Sequence, residues 1–468
     1  MMPVVLWTDA LIFLLTAVVT VFVVYARSKP HLRAPWHRVF RGRIAAASVV
    51  VLLAFVITGL LDSVHFRLQL DNNGNSDINH YSGEVLSALD VVLGPIRTQV
   101  EKTYSAPFAT HLFARETIEL EDGTRVRDYP RLLYGGRHLS GSGEDKWRDI
   151  LQRSLLALAE TLLAGVAIFY VTAALLGRRT GSSPRAMLQA IVRRETGLPW
   201  RTLLTTITLL LLLVFLAINL ASDFHVLGTD KVGQDVFYLT MKSIRTGLVI
   251  GTLTTLIMLP FAIFMGIVAG YARGWVDDVV QYIYTTLNSI PGVLLIAASI
   301  LMLQVYISNH PEYFETTVER ADIRLLFLCI ILGITSWTGL CRLLRGESLK
   351  LRETEYIQAA ISFGVAHGRI ITRHILPNVM HVVLITVVLD FSGLVLAEAV
   401  LSYVGVGVDP TMNSWGNMIN SARLEMAREP VVWWSLLSAF IFMFMLVLAA
   451  NLFSDAVRDA FDPRTRAR

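Results

Sequence analysis

Charge is scarce in this sequence. Asp, Glu, Lys and Arg make up 17% of its 468 residues, whereas 54% are apolar. A typical soluble domain carries about 25% charged residues. At a mean hydropathy of +0.55, a water-soluble chain would need an exceptionally large core to hide its apolar surface. The composition therefore disfavours a soluble enzyme, a disordered tail or a fibrous protein, and points to the membrane. Cysteine is scarce too. Cys329 and Cys341 stand twelve residues apart in one apolar run, a separation along a helix that no disulfide spans. No Cys/His spacing suggests a metal site, and no nucleophile–base pair suggests catalysis. The pattern G-x(4)-G-K-[ST] is absent, so no phosphate loop is present and the chain is not expected to hydrolyse ATP. Leu139-Ser140-Gly141-Ser142-Gly143 reads as a surface turn.

What is abundant is long apolar runs. A spanning helix needs about 20 apolar residues to cross about 30 Å of hydrocarbon. Nine stretches qualify, near 4–25, 43–61, 151–176, 202–221, 244–270, 279–306, 323–343, 378–400 and 431–453. The first lacks a preceding basic region and reads as an anchor rather than a cleaved signal. Residues 26–43 hold six Lys/Arg and no acid, 177–201 six Arg and one acid, and 344–377 five Lys/Arg and three acids. The alternate loops 62–149 and 307–322 are richer in acid. Nine spans with the N-terminus outside and the C-terminus cytoplasmic place every basic loop in the cytoplasm. The fold class expected is thus an all-α polytopic membrane protein with a small α+β external domain. Its regions are 1–62, 63–149, 150–222 and 223–468. The bilayer is the expected environment, and no nucleic acid is expected despite a net charge of +4.

Residues 62–149 are too long and polar for a simple connection. Val85, Leu86, Leu89, Val92, Leu93, Ile96 and Val100 recur at helical spacing, predicting an amphipathic helix over 84–103. Ile118 and Leu120 alternate with polar residues before Asp122-Gly123 and Arg125-Val126-Arg127, which predicts a hairpin. Asp71–Asp77 reads as a flexible entry.

The loop 344–377 is the most informative segment. Arg345–Arg352 reads as a helix leaving the membrane, and Glu355–Phe363 as a second, short one. Tyr356, Ile357, Ala359, Ala360 and Phe363 give it apolar contact surface, and small Ala359 and Ala360 allow close approach of another backbone. Gly364 suits the helix end, since glycine adopts the left-handed conformation at low cost. Pro377 suits the first turn of the next span. The two readings are an ordinary amphipathic loop helix and a stiff docking knob.

Tyr356, Gln358, Ala359, Ala360, Gly364, Leu376 and Pro377 resemble the EAA loop of bacterial ABC importer permeases, with Gln358 where a Glu is common and His374 where an Ile is common. Leu227-Gly228-Thr229-Asp230 with Gly233 and Asp235, Gly270-Tyr271, Ile290-Pro291-Gly292, Leu396 through Val408, Ser414 through Met418, and Asp455 through Arg464 extend the resemblance over 224–468. The chain is similar to the C-type permease of a dipeptide, oligopeptide or nickel importer. That resemblance implies a bacterial inner-membrane transport subunit whose loop couples to ATPase subunits. It also implies a second homologous permease, two ABC ATPases that bind ATP and Mg, and an external solute-binding protein. No cofactor is expected in this chain itself. A membrane sensor or scaffold built on the same fold is the alternative. Family members usually have one span before the LGTD segment, whereas this chain has four spans and an external domain there.

Asp390 and Glu398 lie about two turns apart on one face of the eighth span. A carboxylate at the bilayer centre costs about 2.5–3.5 kcal/mol, so such groups face a cavity or a partner helix. With Pro291 they are the candidates for a translocation path. Packing roles are the other reading, as for Glu160.

Overall fold

The computed structural model describes residues 2–28, 30–69, 81–119, 125–139, 143–314 and 316–461. The Asp71–Asp77 entry, the Asp122-Gly123 turn, Ser140–Ser142 and the motif residues from Asp462 onward lie outside them. The elements in chain order are β1 (Met2–Val4), α1 (Trp7–Ser28), α2 (Pro30–Arg41), α3 (Arg43–Asp62), β2 (His65–Arg67), β3 (Leu86–Ser87), α4 (Ala88–Val92), α5 (Gly94–Thr98), β4 (Glu116–Glu119) and β5 (Arg125–Asp128). There follow α6 (Gly143–Thr180), α7 (Pro184–Arg193), α8 (Trp200–Ala221), α9 (Val236–Ala272), α10 (Trp275–Ser289), α11 (Gly292–Asn309), α12 (Thr317–Arg352), α13 (Glu355–Ser362), α14 (His367–Ile370), α15 (Leu376–Val404), α16 (Trp415–Glu425) and α17 (Trp434–Phe461).

Among the described residues, nine helices are long and apolar enough to cross a membrane. They correspond one for one to the nine apolar stretches. The sixth differs in kind. The stretch 279–306 is not one helix, because the chain breaks between α10 and α11. Ile290 is extended (φ −89°, ψ 127°), as a residue before proline prefers to be, and Pro291 then opens α11. Pro291 is therefore a helix start rather than a mid-helix residue.

The chain divides into two compact units. The first comprises Met1–Val4, His37–Arg245 and Asn413–Ala449. In it α6 and α8 form an antiparallel pair, and α3 packs on α8. Glu160 is satisfied within this pair, since Asn219 Nδ2 donates to it at 2.8 Å. A three-stranded antiparallel sheet in the order β1-β2-β3 pairs Met2 with Arg67 and Phe66 with Leu86. The expected hairpin is present as β4–β5, with Ile118 opposite Val126. The expected helix over 84–103 is not. It is split into β3, α4 and α5, because Ser87 and Asp90 form a capping box that starts a helix afresh and Gly94-Pro95 interrupts it again.

The second unit comprises Val5–Trp36, Thr246–Met412 and Ala450–Arg468. Here α12 is central, packing against α1, α10, α11 and α15. Asp322 near the start of α12 caps α1, accepting from the Thr8 N–H at 3.2 Å and from the Thr8 hydroxyl. Gly266 and Gly270 let α9 approach the backbone of α12. A Cβ added at Gly270 would stand 2.5 Å from the Arg345 carbonyl oxygen, and one at Gly266 2.7 Å from that of Cys341. This is the small-xxx-small contact by which membrane helices pack closely.

Candidate functional site

Two residues, Glu353 and Thr354, separate the short helix α13 from α12, and its attachment follows from one residue. Ile357 is fully buried among Tyr271, Leu344, Ile370, Ile375 and Val379. Burying such a side chain is worth about 1.5–3 kcal/mol. Ala360 and Ile361 pack against the same cluster. The opposite face is open: Tyr356 is 48% and Phe363 86% exposed, and Gln358, Ala359 and Gly364 are exposed as well. Both aromatics are therefore surface side chains rather than part of the core that holds Ile357.

The end of α13 is a Schellman motif. The Gly364 N–H donates to the Ile361 carbonyl at 2.9 Å and the Val365 N–H to that of Ala360 at 3.1 Å, with Gly364 left-handed at φ +71°. Gln358 Nε2 donates at 2.9 Å to the Arg352 carbonyl, bracing the turn between α12 and α13. Tyr356 and His374 sit ring to ring at 6.2 Å, and Asn378 Nδ2 donates to the Tyr356 hydroxyl at 3.1 Å. Both residues at which the loop departs from the EAA pattern thus have local partners.

The base of the segment is tied to the end of α9. Tyr271 Oη lies 2.7 Å from His367 Nδ1, while Arg352 donates to the Tyr271 carbonyl at 2.6 Å and lies over its ring at 5.6 Å. One tyrosine therefore holds the chain both before and after α13. Arg273 pairs with Glu353, and Arg345 makes a two-pronged bond to Asp277 at 2.5 and 2.7 Å. The Arg345 guanidinium holds the Asp277 carboxyl below its ordinary range, outweighing the effect of burial. Leu376 and Pro377 open α15 as expected, but the chain before them is already helical. Ile371–Ile375 is a π-helical turn, in which the Leu376 N–H reaches back to Ile371. The wider turn accommodates a proline that cannot donate.

The candidate path residues separate. Asp390 is half-buried on α15 beside the exposed Leu389. Glu398 is 2% exposed and accepts from the Ser402 hydroxyl at 2.7 Å, where Ser402 also meets the Val408 N–H at 3.4 Å. It therefore braces the turn through Gly405 that ends α15. Pro291 is exposed.

Two buried polar clusters of the first unit were not foreseen. His225 lies between two carboxylates, 2.7 Å from Asp235 and 3.4 Å from Glu101, all almost fully buried. Glu101 also accepts the N–H groups of Leu133, Tyr134 and Gly135 at 2.8–3.0 Å. Burial lowers the His225 pKa, but the two carboxylates prevail and raise it to about 9. Burial raises that of Glu101, but His225 and the three N–H groups bring it to about 2. Asp235 meanwhile caps α9 through the Phe237 N–H at 2.7 Å. Thr229 is held on two sides, its hydroxyl donating to the Thr103 carbonyl at 2.8 Å and its own carbonyl accepting from Trp434 Nε1 at 2.9 Å. Glu101 and Thr103 thus tie their part of the chain to the LGTD segment. In the second cluster Lys242 reaches Asp62 at 2.5 Å and Asp90 at 3.0 Å. A lone lysine at the start of an apolar helix and an aspartate closing an apolar run were the available signals. Among the described residues no group of three or more His, Cys, Asp or Glu could hold a metal ion.

Residues 262–467 match the family described as binding-protein-dependent transport system inner membrane component. The oligopeptide transport system permease protein OppC of Haemophilus influenzae is 31% identical over 243 residues, 52% of this chain and 71% of that protein. The glutathione transport system permease protein GsiD of Pectobacterium atrosepticum is 30% identical over 53% of this chain and 75% of that protein. The dipeptide transport system permease protein DppC of Bacillus subtilis is 28% identical over 52% and 69%.

Proposed function

The chain belongs to the family of binding-protein-dependent transport system inner membrane components, and from that premise we propose that it is the permease subunit of an ABC importer for short peptides. In this reading α13 is the coupling helix. Tyr356, Ala359 and Phe363 seat in an ATPase subunit, whereas Ala360, expected on the same face, packs inward on the Ile357 cluster; movement there passes through Tyr271 to α9 and through Leu376 and Pro377 to α15. The carrying observation is α13 itself: anchored by Ile357, closed by Gly364, and bare on its aromatic face.

The complex comprises a second, homologous permease, two ATPase subunits that bind ATP and Mg, and a solute-binding protein on the outer face. The translocation path forms between the two permeases, with Asp390 facing it and drawing in the solute's ammonium group. The basic loops 26–43, 177–201 and 344–377 lie in the cytoplasm and region 63–149 outside. Short peptides are favoured because the relatives are named for oligopeptide, glutathione and dipeptide transport.

Purification of the tagged chain in mild detergent from its native host tests the reading. Two ATPase copies and one second permease should accompany it, and the reconstituted complex should take up di- to pentapeptides with ATP. A chain that emerges alone or with a signalling protein overturns it in favour of a sensor.

A further inference from the structure

The hairpin α6–α7–α8 carries a feature that the transport reading does not use. The helices α6 and α8 are both long and apolar enough to span, and α7 joins them at one end. Whatever the orientation, this connection sits at a membrane surface. Helix α7 is amphipathic. Ile191 is fully buried with Ala173 and Leu204, and Met187, Leu188 and Trp200 pack around them. Arg185, Gln189 and Arg193 recur every fourth residue on the other side and are exposed.

More arginines stand at the two ends of α7. The chain doubles back tightly between α6 and α7, with the Ser182 N–H on the Gly177 carbonyl at 2.9 Å, which sets Arg178 and Arg179 beside the start of α7. Arg194, left-handed at φ +63°, ends the helix. Arg201 Nη1 donates to the Val192 carbonyl at 3.2 Å and ties α8 to the same end. The other five arginines form no ion pair among the described residues, and Glu195 is the single acid between 177 and 201. Val192, also exposed, lies next to Arg193.

We propose that the arginine face of α7 and its flanks binds the phosphate headgroups of anionic phospholipid. The charge is complementary, and guanidinium groups bond phosphate oxygens in pairs. The two spans hold the face at headgroup depth, and exposed Val192 meets the acyl boundary beside it. A soluble acidic partner would need no such depth.

The test uses the full chain in nanodiscs of phosphatidylcholine alone or with about a quarter phosphatidylglycerol. Phosphatidylglycerol should slow amide exchange over 178–194 and remain bound to the chain in native mass spectrometry. In the variant Arg185→Gln/Arg193→Gln/Arg194→Gln, retention should weaken by about fivefold per charge removed. Its melting in phosphatidylcholine should match the parent, which separates lost binding from lost folding. Equal exchange in both nanodiscs, or undiminished retention by the variant, overturns the proposal. Inorganic phosphate that reproduces the protection in phosphatidylcholine assigns the face to a free anion instead. A protein that co-purifies with the parent and not with the variant, without any lipid effect, assigns it to a protein partner. The outcome does not depend on uptake, so it stands or falls apart from the transport reading.

Discussion

The Tyr271 hydroxyl lies 2.7 Å from His367 Nδ1 while the Tyr271 carbonyl accepts from Arg352, so a single residue at the end of α9 grips the chain on both sides of α13. A segment held at both feet moves as a body with the helix that holds it. Tyr271→Phe keeps the ring and the carbonyl but removes the hydroxyl. A hydrogen bond of this kind contributes about 1 kcal/mol, so the tie should loosen about fivefold. Transported solute per ATP should fall in proteoliposomes while the ATPase stays bound. Unchanged stoichiometry of transport would remove Tyr271 from the coupling route.

Gly364 offers a second handle. A Cβ there meets no atom within 4 Å, so bulk itself is tolerated inside the chain. The left-handed backbone is the obstacle, costing about 1–2 kcal/mol for a residue with a side chain. Gly364→Trp adds that strain and places a large ring at the exposed end of α13. ATP hydrolysis should uncouple from uptake, with membrane insertion retained. Normal uptake by this variant would sink the assignment of α13.

Asp390→Asn tests the path. If the carboxylate faces the solute, uptake of peptides falls with little change in melting temperature. Unchanged uptake with a lower melting temperature would instead make Asp390 a packing group.

The clasp around His225 predicts a pH dependence of the segments at Glu101 and 133–135. His225 is raised from 6.5 to about 9, so its contribution is complete below pH 6.5 and is lost as pH climbs through 9. Glu101 is lowered from 4.5 to about 2, so its contribution is complete above pH 4.5 and is lost as pH falls through 2. Amide protection there, corrected for intrinsic exchange, should be highest between pH 4.5 and 6.5 and decline toward 9. His225→Gln should abolish the alkaline decline. Protection that rises between pH 7 and 9 contradicts this account, since both limits of that range lie on the losing side for His225.

The spans and α13 were legible because each is written in local terms: an apolar run long enough to cross, or a short amphipathic stretch closed by glycine. The mistakes came from punctuation within otherwise good periodicity. Gly94-Pro95 cuts a helix that the apolar spacing over 84–103 favours, and Pro291 cuts one inside a largely apolar stretch. The polar clusters were beyond reach for a different reason. Glu101, His225 and Asp235 are brought together by the folding of the segment around Glu101 onto the LGTD segment, and no spacing in the chain announces a contact across 124 residues.

Gln358 donates a hydrogen bond to the Arg352 carbonyl, which an ionised glutamate cannot do. The shape of this turn is accordingly indifferent to acidity over the physiological range. The same exchange of carboxylate for amide leaves a neutral position on the exposed face of α13. An ATPase evolved to meet a glutamate there would bring a cation that finds no counter-charge, and a desolvated, uncompensated cation is costly. This permease should therefore be selective about which ATPase it accepts, and swapping in the ATPase of a glutamate-bearing system should yield a weaker complex that Gln358→Glu partly restores.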